Sequence, residues 1–202
     1  MVKLRIYRTY TCPIIRSGLS SFAIRSAQLE PLSLFQRKTL KSILKLSISA
    51  PTPSIHFLTG ELPIEGKHHM DIFSLFYSIW SNPDTKVYWI VKYLLQTSSE
   101  NSRTWAIHIR HLSERYGLED PLLCLKRDPP PKSEYKELIA TKITSYFENS
   151  LRKSASEYSL MNYLNVETIS HVISVCSGIS TERTNSYTVQ MSGHSNKEQY
   201  KL

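Results

Sequence analysis

Acidic side chains are almost missing from the first sixty residues, where Glu30 stands alone against nine lysines and arginines. The rest of the chain carries equal numbers of basic and acidic side chains, so the net charge of +8 sits entirely in that first block. Cysteine is scarce: Cys12, Cys124 and Cys176 are few, odd in number and far apart. That excludes a disulfide framework of the kind small secreted domains use, and favours a reducing compartment. There is no Asn-x-Ser/Thr sequon, and no run approaches the ~18 apolar residues of a membrane span. The opening residues, MVKLRIYRTYTCPII, are too polar and interrupted for the apolar core of a signal peptide. The expectation is an intracellular, non-secreted protein, with nucleus and cytoplasm undistinguished.

Chemistry-bearing patterns are equally sparse. No Asp-Asp step occurs, whereas nucleotidyl transfer needs two Mg²⁺ ions clamped by close carboxylates. Asp71, Asp84, Asp120 and Asp128 are isolated, and Asp84 and Asp120 suit helix starts. There is no Gly-rich phosphate loop and no nucleophile elbow. His68 and His69, being adjacent, point about 100° apart on a helix and do not share a metal easily. His108 and His111, three apart, could sit on one helix face, but lack a third ligand nearby. The spacings of Cys124, His171, Cys176 and His194 fit no compact zinc finger. The sequence therefore predicts no catalytic residues, no metal site and no cofactor.

What is present is apolar periodicity, mostly at helical spacing, which predicts an all-α fold: an irregular helical bundle, a second helical segment and a disordered tail. On a helical wheel from Leu29 to Leu46, Leu29, Leu32, Phe35, Leu40, Ile43 and Leu46 share one side. Arg37, Lys38, Lys41 and Lys45 share the other, and Leu34 is the misfit. Pro31 places the helix start at Leu29 or Glu30, because proline is tolerated in a first turn and costs ~3 kcal/mol deeper inside.

Leu4 to Ile15 predicts another helix, interrupted at Pro13. Thr52 and Pro53 predict a short helix stopped by Gly60. Pro63 to Trp80 predicts a helix whose second half is apolar nearly all round and therefore buried. Asn82 reads as the cap of the next helix, where Val87 to Val91 also suits a strand, although length favours helix. Ser102 reads as the cap of a helix running to Tyr116 and stopped by Gly117, and Asp120–Pro121 as a further start. The three prolines in KRDPPPKS break the chain before a long helix from Ser133 to about Ser154. From residue 166 on, a Ser/Thr/Asn-rich composition predicts a loose tail. The organisation read from this pattern is a basic helical region over 1–60, a second helical region over 61–165 and a tail over 166–202.

A cationic stripe opposite an apolar face concentrates positive potential and suits a polyanion. Arg37, Lys38, Lys41 and Lys45 are the candidate nucleic-acid-binding residues. Such residues meet the phosphate backbone and supply affinity without reading bases. Tyr7, Tyr10 and Phe35 lie close enough in sequence to stack on bases, although Phe35 falls on the apolar side and is assigned to the core. Two other readings fit the pattern. One is a helical protein–protein interaction module that meets its partner through apolar segments such as Ile72 to Trp80. The other is a basic amphipathic helix for a membrane surface or a calmodulin-like groove.

Several segments in order also resemble a known family. YRTYTCPIIRSG, LEPLSLFQRKTLKSILKL, PTPSIHFLTGELPIE and DIFSLF are similar to the region following the catalytic palm in reverse transcriptases of non-LTR (LINE-like) retrotransposons. The similarity continues through SRTWAIHIRHLSERYGLEDPLLCL and DPPPKSEYKELIATKITSYFENSLRKSA, to about Asn165. It implies a small helical thumb that grips a template–primer duplex by its backbone, with Arg37, Lys38 and Lys41 in the Gln-Arg-Lys segment, and Lys45 beside it. The family's polymerase aspartates have no counterpart here, so a non-catalytic, degraded or truncated copy is implied. Arg16 and Ser17 depart from the pattern, standing where the family has an apolar residue and a tyrosine; Arg16 would then occupy a core position.

Overall fold

A computed structural model describes residues 2–24 and 26–158 of the chain. Among them every regular element is helical, as the periodicity predicts. In chain order these are α1 (Val2–Ile6), a π-turn (Tyr7–Thr11), α2 (Cys12–Arg16), a 3₁₀ turn (Leu19–Ser21), α3 (Ser26–Leu44), α4 (Thr52–Thr59) and α5 (Ile64–Trp80). Then follow α6 (Lys86–Thr97), α7 (Trp105–Arg115), α8 (Pro121–Cys124) and α9 (Lys132–Ser156). The tail read over 166–202 lies outside the described residues, as do His171, Cys176 and His194.

Helix α5 is the axis. Ile72, Phe73, Phe76, Ile79 and Trp80 are all buried, in line with an apolar pattern running nearly right round the helix. Helix α9 packs along it through Tyr135, Ile139, Ile143 and Phe147, each four residues from the last. Each such side chain, fully buried, contributes roughly 1.5–3 kcal/mol. The two helices approach closely at Gly66, where a Cβ would come within 2.9 Å of the Phe147 ring. Helices α6, α7 and α8 close the other side of this core. Two ties hold the triple-proline segment against α5: Trp80 Nε1 donates to the Arg127 carbonyl (2.8 Å), and Tyr77 Oη to that of Pro130 (2.7 Å). A smaller core joins the front of the chain to the same axis: Leu4, Tyr7, Cys12, Leu40 and Ile55 meet Ile64 of α5.

Four stop and start signals form as read. Gly60 and Gly117 take left-handed conformations (φ 63° and 60°) after α4 and α7. Asp120 caps α8 by accepting from the Leu122 amide at 2.6 Å, with Pro121 in the first turn. Lys132 opens α9 directly after the prolines. Other local readings are corrected. Pro13 does not interrupt the first helix. The backbone widens into the π-turn just before it, and the Cys12 amide reaches back five residues to the Tyr7 carbonyl. That widening makes room for a ring that would clash with a carbonyl in an unbroken α-helix. The cap of α6 is Thr85, not Asn82, and that of α7 is Thr104, not Ser102; each threonine accepts from the amide three residues on. Residues Val87 to Val91 are helical. At α4 the cap is Pro51 rather than Thr52.

Candidate nucleic-acid interface

Helix α3 starts at Ser26, three residues ahead of Leu29, so Pro31 falls in the second turn rather than the first. One i→i−4 bond is lost there. The burial of Leu29 on one side of Pro31, with Leu32 packing on the front core on the other, accompanies it. The inward face is Leu29, Gln36 and Leu40, with Leu32 and Ile43 beside them. Gln36 is 2% exposed, and Phe35, assigned to the core from the wheel, is 47% exposed. The helix is turned so that an amide, not a ring, points inward. Gln36 Nε2 donates to the Leu62 carbonyl (2.9 Å) and its Oε1 accepts from the Ile64 amide (2.8 Å). It thus satisfies one of the orphan donors at the start of α5 and pins α3 to the α4–α5 connection. The residue of the Gln-Arg-Lys segment that sequence assigned no task is the structural one.

The helix ends at Leu44, so Lys45 lies beyond it and not on the stripe. Lys45 takes φ 56°, the left-handed position usually given to glycine. Its amide bonds the Ser42 carbonyl (3.3 Å), and that of Leu46 the Lys41 carbonyl (3.0 Å). These two bonds close the helix end, and Leu46 packs on the front core.

Three of the four candidate cations stay on α3, away from the buried face. Lys38 is exposed and makes no ion pair among the described residues. Arg37 meets Glu30, the single acid of the block, at 2.5 Å. Lys41 Nζ donates to the Ile48 carbonyl, bracing the turn after the helix. Lys45 is exposed beside that turn. Exposed pairs of this kind exchange readily with other anions, since they are worth about 0–1 kcal/mol. The surface at this end of α3 is therefore cationic, with Phe35 close to Lys38 in the helix. Of the other aromatics considered for stacking, Tyr10 is exposed and Tyr7 is buried.

Of the other front cations, Lys3 and Arg5 are exposed, whereas Arg8 and Arg16 do structural work. Arg8 donates to buried Glu61 and to the Thr59 carbonyl (2.6 Å), and Lys67 reaches Glu61 from α5. Arg16 does not fill an apolar core position. It makes a two-pronged contact with Asp71 of α5, one limb at 2.7 Å. Burial works against its charge, but the bond and attraction to Asp71 outweigh that and raise its pKa. Arg8, Arg16 and Lys67 border a cleft of about 360 Å³ between the front helices and α9, with Glu61 and Glu148 also on its walls. Positive and negative groups thus neutralise each other there, unlike at the end of α3.

The histidines are arranged differently from their spacing. His108 approaches His69 of α5, with ring centroids 6.4 Å apart, while His111 is exposed. His68 is fully buried with both ring nitrogens unpartnered among the described residues, and His69 Nδ1 lies 2.6 Å from Tyr116 Oη. Burial pushes the pKa of His69 down to about 3 and that of His108 to about 4, with neighbouring His68 and Arg115 pushing the same way. His68 is also lowered, by burial first. Among the described residues no three His, Cys, Asp or Glu side chains are grouped to hold a metal ion. Among them, too, no helix is long and apolar enough to cross a membrane.

No family model matches this chain, and neither a curated protein nor a solved structure is similar to it.

Proposed function

We propose that this chain is a helical module that holds the sugar–phosphate backbone of a nucleic acid through one end of α3, the role the resemblance to a non-LTR retrotransposon thumb implies. The observation that supports it is the disposition of Arg37, Lys38 and Lys41 away from the buried face of α3, continued by Lys45, with Glu30 the one acid within the first sixty residues. Phosphate contacts of this kind give affinity without sequence choice. Exposed Phe35 adds a surface on which an unpaired base can stack. The chain contains no Asp-Asp step, so the reading assigns it binding and not nucleotidyl transfer. Its test is fluorescence anisotropy with a short duplex at low salt. Changing Arg37, Lys38, Lys41 and Lys45 together to Gln should abolish most binding. The charge-matched change of Lys126, Lys136, Lys142 and Lys153, exposed on other elements, should leave most of it. Equal losses in the two would reject the site.

A helical protein–protein interaction module is the second reading, favoured by one observation. Ile72 to Trp80 cannot be its contact, since that segment lies in the core. Instead Val2, Ile6, Tyr10 and Ile14, each four residues from the last, are all more than half exposed. Across α-helix alone such a row drifts by about 40° per step, but the π-turn, with more residues per turn, falls back and straightens it. A straight apolar ridge suits the groove of another helix. Binding to duplex that depends on salt and not on this ridge separates the two readings.

A further inference from the structure

Helix α6 is apolar on both sides. Tyr88, Val91 and Leu95 are buried, whereas Val87, Trp89, Ile90 and Tyr93 each leave more than half of their surface in water. Its only charges are Lys86 and Lys92; exposed Asp84 and Glu100 lie just beyond its two ends. Lys92 Nζ lies over the Trp89 ring, 5.1 Å from its centroid. The polar edges of the aromatic rings tell the outward residues from the inward ones. Trp80 and Trp105 donate their indole N–H groups to the Arg127 and Ser20 carbonyls, each at 2.8 Å. Tyr88 donates its hydroxyl to the Leu125 carbonyl, also at 2.8 Å. Trp89 and Tyr93 have no such acceptor among the described residues, and their rings face water.

We propose that the outward face of α6 docks on the surface of an anionic lipid bilayer. Four outward apolar side chains, two of them rings with an unused hydrogen-bonding edge, and two lysines on a helix without acids call for one partner with three properties. It must take up aliphatic carbon, offer acceptors at the level of the ring edges, and be negatively charged. The headgroup region of an anionic bilayer does all three, which is why Trp and Tyr gather there and why lysines flank them. A nucleic acid would stack the rings and meet the lysines, but leaves Val87 and Ile90 in water. At about 1.5 Å per residue, twelve residues lie in the plane of the interface and do not span it. The inference is independent of the nucleic-acid reading, which uses α3.

Co-sedimentation of the full chain with phosphatidylcholine vesicles, with and without a third of phosphatidylserine, tests it. Tryptophan emission should be read in parallel with acyl-brominated lipid. The wild type should bind the anionic vesicles, and its emission should be quenched. Trp89→Phe should still bind but lose the quenching, because Trp80 and Trp105 face inward. Trp89→Ser with Tyr93→Ser should weaken binding by about tenfold or more. Lys86→Gln and Lys92→Gln should weaken it by about fivefold each. Lys86, Trp89 and Tyr93 are exposed and Lys92 is half-buried, and circular dichroism should show the variants folded. The proposal is overturned if anionic vesicles are not bound, or if neutral vesicles are bound as well. It is also overturned if the Trp89→Ser, Tyr93→Ser variant binds like wild type while the fourfold Gln change on α3 abolishes binding. A dimer dissolved by Trp89→Ser, without vesicle binding, would instead give this face to a second copy.

Discussion

Glu61→Gln tests the tie between the front helices and the α5 axis. The carboxylate, 4% exposed, accepts from Arg8 Nε and Lys67 Nζ, while Arg8 also holds the Thr59 carbonyl at the end of α4. The amide keeps the shape and removes the charge, leaving two cations around a neutral group. Removing one partner of a fully buried pair costs about 3–5 kcal/mol. Here the Arg8 side chain is 31% and that of Lys67 16% exposed, so both recover some hydration. The expected loss is therefore about 2–3 kcal/mol, below the fully buried figure and above the 0–1 kcal/mol of a surface pair. For a chain of this size it corresponds to a fall in Tm of roughly 5–10 °C. Urea unfolding of wild type, Glu61→Gln and Glu30→Gln measures it, the last removing an exposed acid and serving as reference at under about 0.5 kcal/mol. If Glu61→Gln costs no more than Glu30→Gln, the buried network does not join these elements as described.

Other perturbations have signs fixed by the geometry. Gly66→Ala gains up to ~1 kcal/mol of helix propensity but drives a methyl into the Phe147 ring; overpacking of about 1–3 kcal/mol should win, lowering the urea midpoint. Lys45→Gly should do two opposite things: stabilise by about 0.5–1 kcal/mol, because glycine suits φ 56°, and weaken duplex binding by removing a cation. Four histidines with lowered folded pKa values, buried His56, His68 and His69 and half-buried His108, set an acid limit. Their folded pKa values lie below the ordinary 6.5, so the unfolded chain binds more protons as pH falls from 6.5 toward about 4 for His108 and 3 for His69. Their contribution is whole above 6.5 and is lost below it, with a slope of about 1.4 kcal/mol per pH unit for each histidine. A urea midpoint that stays flat between pH ~7 and ~4.5 would contradict that placement.

Local chemistry was legible in the sequence where one residue decides it. Gly60 and Gly117 stop helices because a left-handed residue is needed, and Asp120 with Pro121 starts one because both suit its first turn. The buried helix ending at Trp80 was legible because its apolar pattern leaves only a narrow polar strip, Asp71, Ser74 and Ser78. Elements decided by distant partners were not. Pro13 reads as a break until the π-turn accommodates it. A wheel that sorts side chains by polarity sends Gln36 outward and Phe35 inward. Only the unpaired carbonyl of Leu62 and amide of Ile64, twenty-six and twenty-eight residues away, reverse them. Arg16 with Asp71, and Arg8 with Glu61, are invisible for the same reason, since neither pair is near in sequence. The four candidate cations were found from charge alone, but that Lys45 leaves the helix depends on backbone geometry that no hydropathy pattern carries.

The most direct measurement of a phosphate-holding α3 is the slope of log Kobs against log salt for duplex binding. Three to four contacts through Arg37, Lys38, Lys41 and Lys45 predict a slope of about −2.7 to −3.6. Their joint change to Gln should bring the slope close to zero. A wild-type slope that the fourfold change leaves intact, or no binding at low salt, would contradict the account.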